Sequence, residues 1–150
     1  MTGGVACYGL WLKMGYDGAI HDRLGGVGQG MFMSDRGAPT FAELLCRGGA
    51  CGGLIAARDW SRSGLGPVDG WSASLRTATL MLLHSPAPMV MLWGEDGIML
   101  YNDAYSLFAG GRHPDLLGSP VRDGWPEVAA FNDHVMRVGL AGGTLCYRCL

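Results

Sequence analysis

Five cysteines and four histidines are the side chains of this 150-residue chain best suited to direct chemistry. Cys146 and Cys149 form a Cys-x-x-Cys pair. That spacing serves zinc when two further ligands stand close by, or thiol–disulfide exchange when it lies between a strand and a helix. Cys46 and Cys51 have four residues between them, and His113 and His134 are further donors, but no second pair completes a metal set. Free thiols are the plainer reading, and an odd number of cysteines at irregular spacing is no disulfide framework. Hydrolase chemistry lacks a Gly-x-Ser-x-Gly elbow. Glu95 and Asp96 are neighbours in a turn, whereas paired acid–base work needs carboxylates opposed across a cleft. The run Gly25-Gly26-Val27-Gly28-Gln29-Gly30 fits a phosphate-cradling loop only in part, since no apolar β-branched strand precedes it.

Composition narrows the classes further. The chain is 49% hydrophobic and 16% charged with net charge −2, apolar enough for a core. No Lys/Arg block follows a phosphate backbone, which argues against nucleic acid as a partner. The longest apolar stretch, 78–93, is broken by His84, Pro86 and Pro88, so it falls short of the roughly 20 apolar residues of a membrane span. With no secretory signal pattern either, the expected compartment is the cytoplasm. One Lys stands against ten Arg, with 26 Gly and 15 Ala but only two Asn and three Ile. This usage implies a GC-rich gene, in which misplaced starts and shifted frames escape stop codons.

The elements that must position any site begin late in the chain. Residues 1–48 show no sustained period and read as a Gly-rich extension, flexible or non-native, with one short helical turn at 40–46. A lead-in segment with a helix covers 49–86: Trp71, Leu75, Ala78 and Leu82 recur at helical spacing and Pro86 ends the run. Met89–Trp93 and Ile98–Tyr101 flank Glu95-Asp96-Gly97 and predict a β-hairpin. Asn102 caps a helix over 103–109, closed by Gly110-Gly111. One turn of helix at 113–118 and a connector at 120–125 follow. Pro126 opens a last helix whose apolar stripe is Val128, Phe131, Val135 and Val138. Thr144 to Leu150 reads as the onset of a third strand.

The order of these elements resembles more than half of a PAS domain, the α/β sensor module of bacterial signalling proteins. The likeness sharpens at particular residues over about 49–144. The segment from Gly49 through Asp59-Trp60-Ser61, then Leu65-Gly66-Pro67, Trp71 and Ser74-Leu75-Arg76-Thr77 resemble the lead-in of sensor histidine kinases with an N-terminal PAS domain. Trp93-Gly94, Tyr101 to Tyr105, His113-Pro114, Leu117-Gly118 and Trp125-Pro126-Glu127 continue it in order. The resemblance implies an α+β, PAS-like fold with an incomplete antiparallel sheet, its truncated core spanning 87–150. The family's remaining strands, phospho-accepting His helix and ATP-binding domain are not in this chain. Met89–Trp93 would then present an apolar sheet edge, predicting marginal stability or rescue by self-association.

The same resemblance implies a function of signal input, as the N-terminal fragment of a two-component sensor histidine kinase, with the kinase domain as partner and no catalytic machinery in this chain. Trp93, Tyr101, Tyr105 and Trp125 would line a small-molecule pocket, since aromatic rings combine apolar area with a polar handle. As plain chemistry they are core residues. His134 stands where some members place a haem ligand, and is otherwise a half-exposed helix histidine. No cofactor is required, and the reactive-cysteine motif of flavin photosensors is absent. Three alternatives stay open: a truncated or frame-shifted product without independent activity, a haem- or flavin-binding redox sensor, and a thiol enzyme using Cys146 and Cys149.

Overall fold

The computed structural model describes residues 38–147 together with the backbone of Leu10–Leu12. The chain is α+β. Nine elements follow in order: β1 (Leu10–Leu12), α1 (Phe41–Cys46), α2 (Gly49–Ala57), α3 (Ala73–Leu83), β2 (Met89–Trp93), β3 (Ile98–Tyr101), α4 (Asp103–Ala109), α5 (Val121–Gly124) and α6 (Ala129–Leu140). The Gly-rich stretch 25–30 and the second cysteine of the Cys-x-x-Cys pair lie outside the described residues.

The hairpin is the centre of the molecule. β2 and β3 pair antiparallel from Val90↔Tyr101 to Trp93↔Ile98, and eight of their nine residues are buried. Runs such as Met-Val-Met-Leu and Ile-Met-Leu-Tyr lack polar alternation, as strands covered on both faces do. The turn Gly94–Gly97 holds both its glycines at positive φ (73° and 61°). Gly97 is required twice over, because a Cβ there would also press on Met136 and Val121 at 3.0 Å.

Both edges of the hairpin are occupied. Leu10–Leu12 runs parallel to Met89–Met91, so the edge expected to stand open is covered over three of its five residues. Along β3, the segment 118–121 is stitched to the strand: Gly118 N–H donates to the Met99 carbonyl (2.8 Å), Met99 N–H to that of Ser119 (2.9 Å), and Val121 N–H to that of Gly97 (3.0 Å).

The helices follow the sequence with informative differences. α3 starts one residue after Ser72, whose hydroxyl accepts from Leu75 N–H (3.2 Å), and buries Leu75, Ala78, Thr79, Leu82 and Leu83. Trp71 therefore precedes the helix, packing edge-on against Trp60 (5.3 Å) and donating to the Gly66 carbonyl (2.9 Å). The single turn expected at 40–46 is a full helix, α1, with a Thr40–Glu43 capping box and Leu45 in the core. The segment 113–118 forms turns rather than helix, and the connector 120–125 contains the one-turn α5.

The C-terminal end departs from the sequence pattern in two ways. The apolar stripe of α6 is only partly buried: Asn132 and Met136 are the buried residues, Val135 and Val138 are half-buried, and Val128 is 44% and Phe131 38% exposed. Gly97 explains the choice, since its missing side chain leaves the space beside the hairpin turn that Met136 fills. Nor does a third strand begin at Thr144. A turn through Gly142 (φ 80°) and Gly143, whose N–H groups donate to Gly139 and Val138, sends the chain back along α6. Tyr147 then lies against Phe131, ring centroids 5.2 Å apart. With the hairpin edges taken, residues 144–147 find no open strand to pair with.

Candidate functional site

The residues joining hairpin to helices are held by two adjacent side chains with different tasks. Asn102 is 1% exposed. Its Oδ1 accepts from Tyr105 N–H (3.0 Å), the expected cap of α4, and also from Met89 N–H (3.1 Å). Its Nδ2 faces the carbonyls of Leu82 (3.2 Å), Ser85 (3.0 Å) and Ala87 (2.7 Å). One amide therefore ties the end of α3, the Pro-bearing connector, the start of β2 and the start of α4 into one joint. Each such buried group, left unanswered, would cost about 1–3 kcal/mol.

Asp103 reaches across sequence to α2. Its carboxylate accepts from Ala50 N–H (2.9 Å) and Cys51 N–H (2.7 Å), two of the donors that a helix start leaves free. Gly49, at φ 85°, leaves the room for that approach, since a Cβ there would collide with the carboxylate. Burial by itself would raise the Asp103 pKa. The two amides and the Cys51 thiol outweigh it and hold the carboxyl below its ordinary value. Burial first, then the hydrogen bond and charge of Asp103, push the Cys51 thiol up to about 12. A nucleophilic cysteine needs the opposite shift, so Cys51 is a packed thiol at neutral pH.

From Tyr101 an aromatic ladder climbs outward. Tyr101 is fully buried, its ring 5.2 Å from that of Tyr105 and its hydroxyl 3.0 Å from His113 Nδ1. Tyr105 meets Phe108 at 5.4 Å, and Phe108 meets Trp125 at 5.7 Å. The Arg112 guanidinium lies 4.5 Å above the Trp125 ring and bridges to Glu127 at 2.8 Å. These spacings suit offset and tilted aromatic contacts, worth about 0.5–1.5 kcal/mol a pair beyond burial. Burial, then the neighbouring Cys51 and Tyr105, raise the Tyr101 hydroxyl pKa and keep it a neutral phenol.

Of the five residues singled out from sequence, the structure brings three together: Tyr101, Tyr105 and Trp125. Trp93, at the end of β2, packs on the core apart from the ladder. His134, half-buried on α6, accepts at Nδ1 from Arg137 (2.9 Å) and is no part of it either. Sequence reasoning missed Phe108, Arg112 and Asp103. Phe108 had a signal, standing three residues after Tyr105 on the helix. The Arg112 stack and the Asp103 cap join distant segments and left none.

The ladder's rings lie in direct contact, each 5.2–5.7 Å from the next. A separate groove of about 590 Å³ lies where the hairpin turn meets α5 and α6, its apolar floor of Val121, Met136 and Leu140 rimmed by Glu95, Asp96, Asp123 and Asp133 together with Arg122 and Arg137. No predicted pocket residue borders it. Among the described residues no group of His, Cys, Asp and Glu is arranged to hold a metal ion. Among them, too, no helix is long and apolar enough to cross a membrane. No family model, curated protein or solved structure matches this chain.

Proposed function

We propose that this chain is a PAS-like sensory module, the signal-input piece of a two-component sensor histidine kinase. The observation that carries the reading is the joint at Asn102, which fastens a helix, a hairpin with buried strands and a following helix in the order the sequence resemblance implies. The aromatic ladder supports it as well. It couples the hairpin, through Tyr101, to the surface residues Phe108 and Arg112, so a change at its outer end has a packed route inward. A module of this kind acts by shifting between packings and biasing what it is joined to.

The test is to sequence the coding DNA on both sides of this frame and to assay the extended product for autophosphorylation. The reading expects a phospho-accepting His helix and an ATP-binding domain downstream, with kinase activity that changes on Trp125→Ala. Flanking sequence coding for neither in any frame overturns the kinase assignment.

The exposure of Val128 and Phe131 on α6 favours a second reading, a truncated or frame-shifted product without independent activity. Equilibrium unfolding separates the two. A module expects one cooperative transition, and a gradual loss of signal with poor solubility expects the fragment.

A further inference from the structure

We draw no further inference here: the strongest candidate, the exposed apolar patch of Val128, Phe131 and Leu140 on α6, carries nothing because, beyond the chain's own Tyr147 against Phe131, nothing among the described residues shows what covers it.

Discussion

The chain has two asparagines, both almost wholly buried, and they lie in regions built to different standards. Asn102 sits between β3 and α4 with both ends of its amide answered by backbone groups. Asn132 sits on the inner face of α6, 3% exposed, and its Nδ2 has no hydrogen-bond partner among the described residues. Around Asn102 a helix end, a connector, a strand start and a helix start converge with backbone groups to satisfy, and burial is offset by bonding. Around Asn132 the most buried positions of the helix are this amide and Met136, while Val135 and Val138 are half-buried and Phe131 is exposed. The same residue type thus marks a finished joint in one place and an unfinished contact in the other. Burying a polar amide is sustainable only where partners converge on it.

That contrast can be broken most forcefully at the joint. Asn102→Ala removes five backbone bonds from a fully buried site and should destabilise the fold by roughly 3 kcal/mol or more. Urea midpoints of the two proteins measure it, and a loss below about 1 kcal/mol would reduce Asn102 to an ordinary helix cap.

The next effect tests how closely the helices on that side are packed. A Cβ on Gly52 would land on the Leu45 carbonyl oxygen, so Gly52→Ala should cost about 1–3 kcal/mol by forcing α1 off α2. Its neighbour Gly53 has nothing within 4 Å of the same position. Gly53→Ala should therefore stabilise, by about 0.5–1 kcal/mol, through helix propensity alone. Thermal melts of equal sign for the pair would contradict the packing.

Asp103 gives a smaller effect with a pH signature. Its carboxyl is held below the ordinary value in the folded chain, so its contribution is complete above the unfolded-state value of about 3.9 and is lost as pH falls through the folded one. Asp103→Asn should cost about 1 kcal/mol at neutral pH, as a lost helix cap does. The difference from the unsubstituted protein should shrink in acid below about pH 4. A gap constant from neutral pH down to pH 2 would show that the cap does not depend on the charge.

The weakest effect belongs to the other asparagine. Asn132→Leu removes an unanswered amide at nearly constant volume, and the change should lie between neutral and about 1 kcal/mol stabilising. A cost above 1 kcal/mol in denaturant titration would mean that Asn132 is bonded after all, erasing the contrast with Asn102.

Much of the hairpin region was legible in the sequence because its signals are local. Asp96-Gly97 between two apolar runs specifies the turn, and Asn102 before 103–109 specifies a cap, whatever else surrounds them. At α2 the local signal pointed the other way. Three glycines in nine residues make a poor helix, yet Gly49–Ala57 is helical. Asp103, more than 50 residues away, satisfies the amides of its first turn, and Gly52 admits the Leu45 carbonyl. At α6 the pattern was correct about the helix and silent about its rotation. The 3-4-3 spacing measures amphipathicity, not which side meets the core, and the space left by Gly97 decided that.

The sequence by itself determined α3, the hairpin with its turn, α4 with its cap, the presence of α6 and the aromatic character of the region after β3. Each rests on residues within a few positions of one another, where backbone geometry and side-chain type act directly. Tertiary structure alone decided that Asp103 starts α2, that Asn102 binds three carbonyls beyond its own helix, and that the rings of Tyr101, Tyr105, Phe108 and Trp125 stack in series. It also left Val128 and Phe131 of α6 exposed. Those outcomes depend on which surfaces remain free once the hairpin is buried, and short-range pattern carries no record of that competition.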